Sequence, residues 1–332
     1  MIKIAMFDSK QYDKDSFEPY LNDNIKMVYY ETKLNLTTVS LTKGYDCVIV
    51  FVNDEVDKDV IDKLIEYKIK LLALRSSGFN NVDIISAQDR LPVVRVPAYS
   101  PNAIAEHTMA LLLTSIRRIH KAYNRTREYN FSIEGLTGFN LHEKTIGIIG
   151  TGKIGKALID ICSGFGMNII TYDKFPVPIQ NTQNVSLMEL FSRSDIISLH
   201  CPLNEETYHL ISEREIRLMK DGVIIVNTSR GELINTEDLL DAIKKKKIGA
   251  ACLDVYEEES ELFFNDKSGH ILKDDILARL LSMPNVIITS HQAFLTKEAL
   301  DKIAETTMDN IISFFNEGIL KNEVKIENKV VK

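Results

Sequence analysis

Two rhythms of apolar positions alternate along this chain. Short continuous runs, such as DCVIVF at 46–51 and VIIV at 223–226, give way to stretches where apolar residues recur every three or four positions. The first rhythm is that of a strand buried on both faces of a parallel sheet, the second that of a helix with one buried side. In the first hundred residues the pattern predicts strands at Lys3–Phe7, Ile25–Tyr30, Asp46–Phe51, Ile69–Leu74 and Val93–Val96, with a helix at Val56–Tyr67. A second series predicts strands around Ile146–Ile149 and at Ile169–Tyr172, Asp195–Leu199, Val223–Val226, Ala250–Val255 and Val286–Thr289. Helices are predicted at Ile154–Cys162, Leu187–Phe191, Glu213–Met219 and Thr236–Lys247, and a closing helix carries Leu300, Ile303, Ala304, Ile311, Ile312 and Phe315. This alternation predicts an α/β chain with two doubly wound, parallel-sheet domains of Rossmann or flavodoxin type.

The joins are distinctive. Ser100-Pro101 places a hydroxyl cap and a first-turn proline before a helix from Asn102 to about Ala122. That helix is apolar on most sides, so burial against the other domain or a second subunit is expected. The segment Tyr129–Leu141 has no period and reads either as an arm that packs on a partner or as a loop folded back on its own chain. A long irregular loop is expected from Glu257 to Met283.

One strand–turn–helix carries a motif. The strand before Gly150 turns through Gly150-Thr151-Gly152-Lys153-Ile154-Gly155 into a helix whose apolar face is Ile154, Ala157, Leu158, Ile161 and Cys162. The first glycine suits a tight turn, the second a close approach of pyrophosphate, and the third close packing of helix on strand. The helix start would offer its unpaired N–H groups to the phosphates. Asp173, ending the next strand, stands where a carboxylate accepts bonds from the adenosine ribose and repels the extra phosphate of NADP. The motif predicts an NAD site.

Composition narrows the function. The net charge of −7, from 40 basic and 47 acidic residues, argues against nucleic acid or an acidic membrane surface as partner. The start, MIKIAMFDSK, meets charges at Lys3 and Asp8, so no signal-peptide core is expected. The densest apolar run, Met109–Leu113, is too short to span a bilayer. Cys47, Cys162, Cys201 and Cys252 are scattered, so neither a disulfide framework nor a metal site is expected and the chain reads as cytoplasmic. The lysine run 244–247 fits the negative end of a helix dipole rather than a phosphate site.

The later strands end in reactive side chains. Arg230 follows VIIVNTS, Asp254 and Glu257–Glu259 follow the strand 250–255, and His291 follows VIITS. In an open α/β sheet, polar groups at the strand ends converge on the crevice where the dinucleotide lies.

These segments resemble the D-isomer-specific 2-hydroxyacid dehydrogenases. The resemblance is carried by RVPAYSPNAIAEH (95–107), IGIIGTGKIG (146–155), SLHCPL (198–203), VNTSRGELI (226–234), LDVYEEE (253–259) and SHQAFLT (290–296). LFFNDKS and DDILARLLSMPNV are similar to the D-lactate-forming branch in particular, and the likeness covers nearly the whole chain. It implies a substrate domain of residues 1–99 plus 296–332, an inserted NAD-binding domain at 100–295, and an active site in the cleft between them. It implies reversible reduction of pyruvate to D-lactate by hydride from NADH. Arg230 would hold the substrate carboxylate, helped by the backbone N–H groups of Ser77 and Gly78. His291 would be the acid/base, and Glu259 would bond the far nitrogen of its ring; a formate dehydrogenase would have glutamine there. Phe51, Tyr99 and Phe294 would surround the substrate methyl. Gly150, Gly152, Lys153, Ile154, Gly155, Asp173, Cys201, Pro202, Thr228 and Asp254 would contact the cofactor, with Asp254 near the nicotinamide and Cys201 a small cleft-lining residue rather than a nucleophile. A homodimer or homotetramer through 102–141 is expected. The alternatives are an enzyme for bulkier branched or phenyl 2-oxo acids, and an NAD-sensing corepressor that keeps the same residues.

Overall fold

The computed structural model describes residues 1–259, 262–264 and 266–325. The chain divides into two compact units: the first hundred residues with the segment from Leu295 onward, and residues 101–294. The polar tail beyond residue 325 and parts of the 257–283 loop lie outside the described residues.

The first unit opens with β1 (Ile2–Met6), α1 (Gln11–Phe17), β2 (Ile25–Tyr29), β3 (Cys47–Val50), α2 (Lys58–Glu66), β4 (Leu71–Leu74), α3 (Ile84–Ala87) and β5 (Val93–Val94). All its strand pairs are parallel, in the order β2-β1-β3-β4-β5. Alternate residues supply two cores, as the pleat requires. Ala5, Val48, Val50, Leu72 and Leu74 face α2, while Ile4, Met6, Cys47, Ile49, Leu71 and Ala73 face the other side.

The second unit begins with α4 (Pro101–Arg117) and α5 (Ile119–Arg127), then β6 (Thr145–Ile149), α6 (Lys153–Gly164), β7 (Asn168–Tyr172), β8 (Gln183–Asn184) and α7 (Leu187–Arg193). It continues with β9 (Ile196–Leu199), α8 (Glu213–Leu218), β10 (Val223–Asn227), α9 (Thr236–Lys244), β11 (Ile248–Leu253), α10 (Asp275–Ser282) and β12 (Val286–Ile288). Among the described residues its strands are ordered β12-β11-β10-β9-β6-β7-β8, so the order reverses between β6 and β9. That reversal opens the crevice in which doubly wound sheets bind ligands. Finally α11 (Lys297–Glu317) returns to the first unit, where Ala304, Met308 and Ile311 join the core that holds Ile4 and Ile49.

Three expectations need correction. The helix from residue 102 does not run unbroken to 122: Arg118 takes a left-handed φ of 51° and separates α4 from α5. The apolar face of α4 is buried in its own unit, where Ala105, Met109, Leu112 and Ile116 pack with Leu158 and Cys162 of α6 and with Ile146 and Ile148 of β6. The 257–283 stretch is not wholly irregular, because Asp274 caps α10 by accepting the N–H of Leu277, and Leu277 and Leu280 are buried beneath. The Tyr129–Leu141 segment does present apolar groups: Tyr129, Phe131 and Ile133 are exposed.

Candidate active site

At the crevice the glycine turn leaves β6. Gly150 has φ +97°, and a Cβ there would lie 2.6 Å from the backbone of His200 and Cys201 at the end of β9. Only glycine fits both demands. Cys201 is buried with its backbone against the turn, and burial pushes its thiol up to about 11, which disfavours the nucleophilic thiolate. At Gly155 a Cβ would meet Gly150 O at 2.1 Å, so α6 lies directly on the turn. Gly152 differs, because nothing stands within 4 Å of its Cβ direction. Among the described residues no hydrogen bond uses the N–H of Gly152, Lys153 or Ile154. An open helix start with unspent donors fits a dinucleotide pyrophosphate. Thr228 Oγ1 lies 2.8 Å from Thr108 Oγ1, and Pro202 O accepts from Thr207 Oγ1 (2.7 Å).

Asp173 ends β7. Its Oδ2 accepts from Thr151 N (2.7 Å) and Thr151 Oγ1 (2.9 Å), and its Oδ1 from Phe175 N (2.9 Å). Partial burial alone would raise its pKa, but these bonds outweigh it and hold the carboxyl below its ordinary value. A carboxylate offers about four acceptor positions, so Oδ1 keeps room for a hydroxyl donor. The adjacent Lys174 is paired with Glu206, at 2.7 Å from Oε1.

Beyond β12 the backbone turns sharply. His291 sits at φ +53°, a conformation costing a non-glycine residue about 1–3 kcal/mol. Asp254, at the end of β11 and wholly buried, holds it there. Its carboxylate accepts from Thr289 Oγ1 (2.5 Å), Gln292 N (2.9 Å) and Ala293 N (2.8 Å), and its carbonyl accepts from His291 N (2.7 Å). Burial would raise the Asp254 carboxyl, but bonds from His107, Thr289, Ala293 and Gln292 bring it below the usual range. His107 on α4 completes the set, 3.3 Å from Asp254 Oδ1 and 3.2 Å from Thr289 Oγ1. The Asp254 carboxylate thus ties down the loop that carries His291.

His291 Nδ1 lies 2.6 Å from Glu259 Oε1. A carboxylate only accepts, so the ring hydrogen sits on Nδ1. Nε2 takes part in no hydrogen bond among the described residues. Glu259 Oε2 accepts the N–H of Tyr256 (2.9 Å). Arg230 stands on the next turn, its Nη1 on Ser229 O (2.6 Å) and its carbonyl accepting from Asn227 Nδ2 (2.7 Å). The two turns touch, since a Cβ on Gly231 would lie 2.1 Å from the backbone of Tyr256. Phe294 closes this unit and is buried.

In the first unit, the strand ends carry Phe51, Ser77 and Gly78, and Tyr99 follows β5. Arg95 Nη1 donates to Ser77 O (2.7 Å) and Ser76 Oγ to Gly78 O (2.8 Å), while among the described residues no hydrogen bond uses the N–H of Ser77 or Gly78. Phe51 lies flat against Arg75, with Cζ 4.0 Å from the ring centre. Arg75 is buried and bonded to Asp8 O (2.8 Å) and Asp13 Oδ1 (3.2 Å). Burial pushes nearby Asp54 up to about 7, although it accepts from the N–H groups of Phe51 and Leu34.

Arg75, Asp13, His107 and His209 escaped the sequence reading. Arg75 directly follows an apolar strand and precedes Ser77, a position that could have drawn notice. His107 ends a segment singled out for resemblance, but nothing there reveals its partner at 254. Among the described residues no helix is long and apolar enough to cross a membrane, and no group of three His, Cys, Asp or Glu side chains could hold a metal.

Comparison with known proteins fits this geometry. Residues 109–293 match the family described as D-isomer specific 2-hydroxyacid dehydrogenase, NAD binding domain. A 2-hydroxyacid dehydrogenase homolog of Haemophilus influenzae is 50% identical over 97% of this chain and 99% of its own. The D-lactate dehydrogenase of Escherichia coli is 45% identical over 97% of this chain and 100% of its own. The apo-structure of D-lactate dehydrogenase from Escherichia coli superposes with a TM-score of 0.88 at 43% identity, covering 98% of this chain and 100% of that one.

Proposed function

The chain belongs to the D-isomer specific 2-hydroxyacid dehydrogenases, NAD-dependent oxidoreductases, and on that premise we propose that it reversibly reduces pyruvate to D-lactate. The observation that carries this reading is the 2.6 Å bond between His291 and Glu259 at the carboxyl edge of the sheet that bears the glycine turn. NADH, when bound, supplies the hydride. The N–H groups of Gly152, Lys153 and Ile154 and the carboxylate of Asp173 are the groups to hold it, with Cys201, Pro202 and Thr228 as walls.

The remaining steps belong to this chain's own side chains. Arg230 binds the substrate carboxylate through its planar fork of donors, and the unspent N–H groups of Ser77 and Gly78 take its other oxygen. His291 Nε2 gives a proton to the ketone oxygen as the alcohol forms, and takes it back in the oxidative direction. Glu259 fixes the ring and its tautomer through Nδ1. Asp254 keeps His291 in its strained backbone position. Phe51, Tyr99 and Phe294 limit the group carried on the ketone.

The exposed Tyr129, Phe131 and Ile133 supply the apolar contact for a homodimer or homotetramer through 102–141. Four unbridged, buried cysteines suit a cytoplasmic protein. The deciding experiment follows NADH oxidation with pyruvate, 2-oxobutyrate, 2-oxoisocaproate and phenylpyruvate, and resolves the product enantiomer. D-Lactate, with pyruvate preferred, is the expected result. A higher kcat/KM for a bulky acid moves the chain to the wider 2-oxo acid enzymes, and NADH binding without turnover leaves an NAD-sensing corepressor.

A further inference from the structure

The turn that carries Glu259 holds a second histidine–carboxylate pair. Glu257, two residues earlier, has its Oε1 2.6 Å from His209 Nε2. Its Oε2 accepts from Thr236 Oγ1 (2.8 Å) and Thr236 N (3.2 Å), at the start of α9. His209 is itself fixed. Its backbone N–H donates to Glu232 O (2.8 Å), its ring stacks on Tyr208 with centres 4.0 Å apart, and its Nδ1 lies 3.3 Å from Asn235 Nδ2. Both partners are partly buried, with side chains 24% and 22% exposed. From the other side the same turn rests on Gly231, where no side chain would fit. Tyr256 anchors its start through a hydroxyl bond to Asp274 Oδ2 (2.7 Å).

The turn is therefore gripped at Tyr256 and Glu257 on one side of Glu259, and on the other the Glu259 carbonyl accepts from the N–H groups of Leu262 (3.0 Å) and Phe263 (2.9 Å). Glu259 spends one oxygen on Tyr256 N and the other on His291. A shift of the turn by a fraction of an ångström would lengthen the 2.6 Å contact to His291, and no other described bond holds the Glu259 carboxylate in place. We infer that His209 and Glu257 are positioning residues, whose clasp on the turn sets the distance from Glu259 to His291. This inference rests on the acid/base reading of His291 and Glu259. Partial burial would raise the Glu257 carboxyl, but the bonds from His209 and Thr236 more than offset it, so Glu257 stays an acceptor.

The test compares His209→Ala, Glu257→Ala, their double mutant and His209→Gln in the full chain. Glutamine keeps a side-chain N–H able to reach Glu257. Each alanine variant is expected to lose kcat about 10- to 100-fold, as displaced active-site groups do. NADH affinity, read from cofactor fluorescence, should stay within about twofold. The pH profile of pyruvate reduction should move toward acid, in the direction set by Glu259→Gln. The double mutant should be no worse than the poorer single, and His209→Gln should recover most of the kcat. Unchanged kcat and pH profile in His209→Ala would overturn the inference, and so would a loss explained by NADH affinity alone. Should the alanine variants fail to fold, Thr236→Val carries the test: a partial loss of kcat supports the clasp, and none overturns it. If Glu259→Gln itself leaves the pH profile unmoved, the acid/base reading fails and the inference falls with it. If only the His209 and Glu257 variants leave it unmoved, the inference fails alone.

Discussion

Glu259 accepts a hydrogen bond from His291 Nδ1 at 2.6 Å, and its other oxygen takes the N–H of Tyr256. The carboxylate is thus aimed along the ring, and Nε2 takes part in no hydrogen bond among the described residues. Proton donation needs the imidazolium, so kcat/KM for pyruvate should fall toward high pH, and D-lactate oxidation should show the opposite limb. Glu259→Gln removes the charge that favours imidazolium and should move both limbs toward lower pH. Limbs that stay in place after that substitution would uncouple the two residues.

Asp254 makes a separate claim, about stability. Its carboxylate is wholly buried and satisfies two backbone N–H groups and a hydroxyl around the strained His291. Asparagine would turn an NH2 toward one of those donors, at a cost of about 2–3 kcal/mol for the buried charge-assisted bonds lost. The carboxyl is held below its ordinary value. Its stabilisation is therefore present above the usual carboxylate range and lost as pH falls through the folded-state titration. Chemical denaturation of Asp254→Asn should show a deficit at neutral pH that shrinks in acid. An equal deficit at all pH values would mean that the charge is not what stabilises the loop.

Much of this fold was legible because both sheets are parallel and their central strands, such as β3, β4, β9 and β10, are buried on both faces and appear as unbroken apolar runs. The glycine turn was legible too, because each glycine answers a steric demand now visible as a clash at 2.6 or 2.1 Å, or as open space. Other features left no such trace. The helix α1, QYDKDSF, buries only Asp13 and Phe17, too few for a period. The break at Arg118 has no glycine or proline to announce it. The partners of His107, His209 and Arg75 lie far along the chain, and which strand ends meet is decided by sheet order rather than by local pattern. The role of Asp254 is the clearest case: the position was found, but whether its carboxylate faces ligand or loop depends on three donors supplied by residues 289–293.

Gly155→Ala should separate cofactor binding from chemistry. The added methyl would sit 2.1 Å from Gly150 O, so α6 must move away from the turn. NADH affinity should weaken about tenfold or more, since the phosphate donors move with the helix start, while kcat at saturating NADH changes less. Titration of NADH fluorescence reads this directly, and unaltered affinity would show that the turn does not hold the pyrophosphate.

Cofactor choice turns on the neighbours Asp173 and Lys174. NADPH would bring a phosphate against the Asp173 carboxylate, so NADH should be strongly preferred. That carboxyl is held below its ordinary value, so Asp173 stays charged through the neutral and mildly acid range. Lys174 would soften the preference only if free, and Glu206 engages it. Glu206→Gln should therefore raise kcat/KM for NADPH by about two- to fivefold, the scale of an exposed ion pair. Asp173→Ala should narrow the gap by weakening NADH. Comparable kcat/KM for both cofactors in the unaltered enzyme would remove Asp173 from the ribose site.

Arg230→Lys keeps the charge but loses the bidentate fork. One charge-assisted bond, worth about 1.5–3 kcal/mol, should be lost, a drop of roughly 10- to 150-fold in kcat/KM for pyruvate. Because Asn227 and Ser229 bond the turn independently of the guanidinium's outer face, NADH affinity should hold. Near-normal pyruvate kinetics would exclude Arg230 from carboxylate binding.

The final prediction is substrate size. The Phe51 ring cannot swing freely, because Arg75 stacks on it at 4.0 Å and is itself tied to Asp8 and Asp13. If Phe51 borders the ketone substituent, as proposed, a fixed ring excludes groups that a mobile one would admit. Each methylene rejected by such a pocket is worth about 1–3 kcal/mol, so discrimination should be modest against 2-oxobutyrate and much larger against 2-oxoisocaproate and phenylpyruvate. Phe51→Leu should raise the kcat/KM ratio of 2-oxoisocaproate to pyruvate by about tenfold or more. Arg75→Met should do so to a lesser degree, since the ring remains but its support is gone. The four acids assayed side by side on the three proteins decide the matter: an unchanged ratio in Phe51→Leu would place the limiting wall elsewhere, at Tyr99 or Phe294.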